Sequence, residues 1–253
     1  MPRAWVLDLL RDIPPEPIAL RAWAYKNLGP SSKKVHDRQD PKPFRVSFLG
    51  KGKAEAIRIS ILDDALADEL AVRLPDRFCL GSVNVHLRQA ERHPWSGFWS
   101  WEDLYAVKPS STLVLEFKTP TFFRRQGVNY AIPEPTLILR SLERSWSIYS
   151  PYPIPPGLAK QMANRTSVTD LKIRSLAHKG HHRVNGFVGR VTLHLPRATE
   201  EEALWLSRLG ELAFFSGVGA KTTLGFGLAR RYELREGTHP DRGAHRRAPR
   251  RQP

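Results

Sequence analysis

The chain has 253 residues, 41% of them hydrophobic, with 40 Lys and Arg against 25 Asp and Glu for a formal charge of +15. That apolar content is enough for a real core, while length alone leaves one large domain or two small ones equally open. The single cysteine, Cys79, excludes an internal disulfide framework and a cysteine-built zinc site, and no run approaches the roughly 20 apolar residues of a membrane span.

Residues 4–10 (AWVLDLL) form a short apolar run, expected as a strand and too short for a signal peptide, so the sequence reads as cytoplasmic. Residues 16–28 (EPIALRAWAYKNL) place Ile18, Ala22 and Tyr25 at helical spacing. Gly29-Pro30 ends that helix, and Ser31-Ser32 can cap a second short one leading to His36. KPFRVSFL (42–49) reads as a strand, and AIRISIL (56–62) alternates with Ile57, Ile59 and Ile61 on one face. Asp63 or Asp64 then caps a helix through Ala65–Leu74. A strand over Phe78–Leu87 leads to a Trp-rich hairpin, HPWSGFWSWEDLYAV, whose dense tryptophans suit packing better than base stacking.

The second half repeats the pattern. TLVLEF (112–117) is a strand, Pro135 opens an amphipathic helix through Trp146, and Val168–His178 and Val184–Leu195 are strands. Thr199 caps TEEEALWLSRLGELAFF, with Glu202 three residues on as its capping-box partner, and a last strand covers Leu224–Leu234. The expected fold is α+β: two tandem ferredoxin-like (RRM-like, β-α-β-β-α-β) domains over 1–109 and 110–235. Residues 236–253 (EGTHPDRGAHRRAPRRQP) cannot bury enough apolar surface to fold and are expected to be a disordered basic tail.

The positive charge favours a polyanionic partner, nucleic acid or an acidic membrane surface, although a solubilising basic surface accounts for the same count. The segment SGVGAKTTLGFG (216–227) sharpens the choice. A nucleotide-binding P-loop needs a glycine directly before the lysine and a strand-to-helix context. Here Ala220 precedes Lys221 and the context is helix-to-strand, so nucleotide hydrolysis is rejected. Gly217, Gly219, Gly225 and Gly227 can serve positive φ angles, and Lys221, Thr222 and Thr223 add an ammonium and two hydroxyls suited to a polynucleotide backbone. Lys172, Arg174, Lys179, Arg183 and Arg190, on two adjacent strands and the hairpin joining them, suit an RNA stem; a solvated strand face is the alternative. The HKGHH run (178–182) lacks neighbouring acidic or cysteine ligands, so no metal site is expected.

The stretch GVGAKTTLGFGLAR after an apolar helix resembles the C-terminal glycine-rich motif of the RAMP superfamily, and more narrowly the CRISPR-associated endoribonucleases of the Cas-six (Cas6) family. FKTPTFFR (117–124), PEPTLILRSLERSW (133–146), VNGFVGRVTLHL (184–195) and DPKPFRVSFL (40–49) resemble further family segments. The resemblance implies metal- and cofactor-independent cleavage of CRISPR repeat RNA, in which the substrate's 2′-OH attacks the adjacent phosphate. The products would carry 2′,3′-cyclic phosphate and 5′-OH ends. His36, in the loop where the family carries a histidine, is the implied proton-transfer group, its ordinary pKa of about 6.5 suiting exchange near neutrality. Lys42 stands where some members place a charge-stabilising lysine, with Lys33 and Lys34 as competitors for that role and as RNA contacts. Tyr25 matches the family's tyrosine or is simply core. The partners implied are repeat RNA and subunits of a CRISPR effector complex; the exposed surfaces of ferredoxin-like units could pair two copies into a homodimer, the sequence leaving the oligomeric state open, and no membrane partner is expected. The alternative is a non-catalytic RAMP-type subunit that only holds RNA.

Overall fold

The computed structural model describes residues 1–28, 35, 37, 41–72, 74–80, 83–90, 92–178 and 184–232. The expected helix leading to His36 and the basic tail lie outside these residues. The N-terminal half runs β1 (Arg3–Ile13), α1 (Pro17–Asn27), β2 (Phe44–Leu49), β3 (Ala54–Ile61), α2 (Asp64–Val72), β4 (Arg77–Leu80) and β5 (Val83–Gln89). Its sheet has the order β2-β3-β1-β5-β4. With β5 as the fourth strand and β4 as an added edge, this is the ferredoxin-like arrangement, the first strand lying between the third and fourth.

Period-2 alternation explains which face folds inward. Ile57, Ile59 and Ile61 of β3 join Leu7 and Leu9 of β1 and Phe44 and Val46 of β2 under the two helices. Helix α1 turns Leu20, Trp23 and Ala24 onto them at i, i+3, i+4 spacing. Asp63 caps α2, its Oδ1 accepting from the Leu66 amide at 3.1 Å. The single strand expected over 78–87 is instead the β4–β5 hairpin.

The Trp-rich stretch is not a hairpin. Gly97–Phe98 (β6) pairs with β1, and Ser100 forms a capping box that opens the short helix α3 (Trp101–Tyr105). Trp95 and Trp101 are buried. Trp101 packs edge-on against Trp146 in the core of the second half.

The C-terminal half runs β7 (Thr112–Thr121), β8 (Phe123–Arg125), β9 (Val128–Tyr130), α4 (Pro135–Tyr149), α5 (Leu158–Arg165), β10 (Ser167–His178), β11 (Val184–His194), α6 (Glu200–Ser216) and β12 (Ala229–Arg231). Its sheet order, β10-β11-β7-β12, is again ferredoxin-like. The chain therefore carries two ferredoxin-like domains. The β8–β9 hairpin and α5 interrupt the expected pattern, and β12 begins only at Ala229, because Gly225 and Gly227 hold positive φ angles after a 3-10 turn at Thr222–Leu224. The capping box at Thr199 and Glu202 is present, and Glu202 also accepts from Arg165 at 2.6 Å.

The second face of the N-terminal sheet meets the C-terminal end of α6. Carbonyls in the last turn of a helix have no partner within the helix, and its dipole favours cations there. The sheet supplies donors from three buried side chains. Arg58 donates to the carbonyls of Trp95 (2.8 Å) and Phe214 (2.6 Å) and to Ser60 Oγ (3.0 Å). Ser60 donates to the Phe215 carbonyl at 2.8 Å, and Arg45 donates through Nε to the Ser216 carbonyl at 2.5 Å. The Arg58 guanidinium lies 4.6 Å from the Phe214 ring centroid. Burial pulls its pKa down to about 9, which leaves it charged at neutral pH.

Candidate functional site

Immediately beside this junction the two halves enclose a cleft of about 680 Å³, within the range of ligand-binding pockets. The N-terminal half contributes Arg21 from α1, Lys42 from the segment before β2, and Arg45 from β2. The C-terminal half contributes Arg124 from β8, Arg140 and Arg144 from α4, and Lys221, Thr222 and Thr223 from the glycine-rich segment. Among the described lining residues there are seven cations and no carboxylate. Helix α4 presents Arg140 and Arg144 four residues apart, with Ser141 and Ser145 one position on, so one helical face faces the opening. Such a wall concentrates positive potential and fits a polyanion.

The glycines act by geometry. The Gly219 backbone, at φ +88°, lies so close to β7 and β8 that an added Cβ would sit 2.4 Å from the Phe122 carbonyl oxygen. At Gly227, φ +70°, it would sit 2.0 Å from the Val218 carbonyl oxygen. The amides here are engaged within the protein: Val218 donates to Gly227 (2.8 Å), Ala220 to Phe122 (2.8 Å), Gly227 to Pro120 (3.1 Å), and Gly219 to Ser141 Oγ (2.9 Å). The segment is thus clamped onto the sheet and α4, and its amides at these four positions do not cradle a ligand. What it presents to the cleft is side chains. Lys221 is held at φ +56°, a left-handed conformation that costs a non-glycine residue about 1–2 kcal/mol. Partial burial, and then the neighbouring Arg124, push the Lys221 ammonium below its ordinary pKa. A bound anion would offset both effects.

Lys42, Gly219, Lys221, Thr222 and Thr223 are therefore brought together at one cleft, whereas Gly217, Gly225 and Gly227 shape the segment without lining it. Tyr25 packs into the N-terminal half, its ring edge-on to Phe44 at 5.0 Å and its hydroxyl oxygen buried. Lys172, Arg174 and Arg190 are on β10 and β11 and do not line the cleft. Lys172 lies opposite Arg190 and is ion-paired to Asp170 at 3.4 Å, and the Arg190 guanidinium lies over the Tyr232 ring at 4.3 Å. Lys33, Lys34, His36, Lys179 and Arg183 lie outside the described residues. Sequence reasoning missed Arg21, Arg45, Arg124, Arg140 and Arg144. Only the i, i+4 pair on α4 carried a local signal. Among the described residues, no group of three or more His, Cys, Asp or Glu side chains is placed to hold a metal ion, and no helix is long and apolar enough to cross a membrane.

A family model described as CRISPR-associated endoribonuclease Cas6 matches residues 115–229. Curated Cas6 endoribonucleases from Mycobacterium tuberculosis strains CDC 1551 / Oshkosh and H37Rv are 28% identical over 151 residues, 59% of this chain and 47% of theirs. The chain spans about half the length of the curated relatives it matches. Among solved structures, a product complex of Cas6 (TTHA0078) is 44% identical with a TM-score of 0.85, the match covering 92% of this chain and 99% of that one. A mutant of the same protein, in which a histidine is replaced by alanine, is 42% identical with a TM-score of 0.82, again over 92% and 99%. A product complex of the Cas6 protein TTHB231, from Thermus thermophilus, is 32% identical with a TM-score of 0.81, over the same shares.

Proposed function

The chain belongs to the family of CRISPR-associated Cas6 endoribonucleases, and from that premise we propose that it cleaves CRISPR repeat RNA in precursor transcripts by a metal-independent route. The observation that carries this reading is the cleft between the two domains, walled by seven cations without a carboxylate among its described lining residues. Such a wall suits a single-stranded phosphate backbone passing between the halves. Similarity to the product and substrate-mimic complexes of Cas6 (TTHA0078) adds to it.

His36 is the proposed proton-transfer group. Pro41, five residues after it in the sequence, lines the opening together with Lys42. The 2′-OH of the substrate attacks the adjacent phosphorus, the bond to the 5′ oxygen breaks, and the ends are a 2′,3′-cyclic phosphate and a 5′-OH. The proton leaves the 2′-OH and another reaches the departing 5′ oxygen, and a histidine suits either transfer. Lys42, Lys221, Arg140 and Arg144 are proposed to stabilise the charge that gathers on the phosphoryl oxygens. The proposed division between the domains, near residue 110, falls between α3 and β7.

Incubation with a repeat RNA and with its scrambled counterpart tests the substrate class. Cutting of the repeat at one position, with the scrambled strand left whole, is the expected outcome. Equal affinity for both strands at matched salt would instead make this a nonspecific basic RNA-coating protein. Changing Arg140 and Arg144 together to alanine is expected to weaken repeat binding at 0.15 M salt. Removing two single-strand phosphate neutralisations should make the slope of log K against log salt shallower by about 1.4, as read in a titration over several salt concentrations. An unchanged slope would remove α4 from the interface.

A further inference from the structure

Arg45 lines the cleft, yet three hydrogen bonds of its guanidinium go to backbone carbonyls of the protein. It is 6% exposed, and its guanidinium spans two separate walls of the opening. Nε donates to the carbonyl of Ser216, the last residue of α6, at 2.5 Å. Nη1 donates to the carbonyls of Lys42 and, at 2.6 Å, of Phe44. The next residue after Ser216 is Gly217, whose φ of +61° turns the chain into the glycine-rich segment. One planar side chain thus fixes where the segment bearing Lys42 ends and where the segment bearing Lys221 begins. A lysine offers no rigid fork and cannot reproduce such a bridge.

We propose that Arg45 is a positioning residue for RNA cleavage, setting the separation of the cleft's two walls, and not one of the phosphate-binding cations among which it lies. The inference rests on the endoribonuclease reading above. It matters because misplacing reacting groups by about 1 Å costs roughly 100-fold in rate even when binding is intact.

The test compares the full-length parent, Arg45→Ala and Arg45→Lys. It uses single-turnover cleavage at saturating repeat RNA, dissociation constants over several salt concentrations, and a thermal melt. Both variants are expected to cleave at least about 30-fold more slowly at a temperature where the melt shows them folded. Their affinity should stay within about threefold of the parent's, with the same salt slope. A slope shallower by about 0.7 in Arg45→Ala, with a parental rate at saturation, would make Arg45 a phosphate-binding residue and overturn the proposal. Parental cleavage by either folded variant, with only a lower melting temperature, would make it a structural residue and also overturn it. If Arg45→Ala does not fold, Arg45→Lys alone decides. A parent that binds repeat RNA without cutting it would instead remove the endoribonuclease reading, and the positioning role with it.

Discussion

Replacing His36 with alanine is expected to slow cleavage of repeat RNA by about 10²–10⁴-fold, the usual worth of one positioned acid or base. The dissociation constant should stay within a few-fold, because the cations proposed to neutralise the backbone are other residues: Arg140 and Arg144 on α4, Lys221 on the glycine-rich segment, Arg124 on β8. Single-turnover rates at saturating RNA, set beside a binding titration, separate the two quantities. A histidine that takes or gives a proton also leaves a pH signature. The parent's rate should carry a pH-dependent bend that vanishes in His36→Ala. If the mutant cuts at the parental rate, the proton transfers belong to other groups. A parent that binds and never cuts would favour the RAMP-type subunit that only holds RNA.

The second large effect concerns stability. Arg58→Ala is expected to destabilise the fold by about 3–5 kcal/mol. Two carbonyls, those of Trp95 and Phe214, lose their Arg58 donor in a buried setting, each at about 1–3 kcal/mol, and the space beside the stacked Trp95 and Phe214 rings is left underfilled. At about 2–4 °C per kcal/mol for a chain of this length, the melting temperature should fall by roughly 10 °C. Arg58→Met refills much of the volume but supplies no donor, so it should recover only part of the loss. Full recovery by Met would mean that packing, not the capping of α6, holds the junction. A thermal melt of the two variants beside the parent reads this directly.

The junction also shows where the sequence was legible and where it was not. AIRISIL announced its core face through Ile57, Ile59 and Ile61, and those three are buried. The same alternation ordinarily sends the intervening residues to water, yet Arg58 and Ser60 are among the most buried polar side chains in the chain. No local pattern reveals this, because their partners include carbonyls of α6, 156 and 155 residues away. The capping box at Thr199 was readable for the opposite reason: its two side chains stand three residues apart. The glycine-rich segment was half readable. Its glycines announced unusual backbone angles, and Lys221 does face the cleft, but nothing in the segment announced that the amides of Val218, Gly219, Ala220 and Gly227 are held by carbonyls of the protein and by Ser141. The cleft gathers cations from α1, β2, β8 and α4, which only the packing of two domains brings together.

The reaction proposed for this chain is cleavage of repeat RNA by attack of the RNA's own 2′-OH. End-group mapping of a labelled repeat RNA, incubated with the protein in excess EDTA, tests it most directly. A second RNA carrying a 2′-deoxy nucleotide on the 5′ side of the cut completes the measurement. A single cut leaving a 2′,3′-cyclic phosphate and a 5′-OH is expected, with the deoxy RNA bound but left whole. Cleavage that stops in EDTA, or proceeds on the deoxy RNA to leave a 5′-phosphate, would contradict this mechanism.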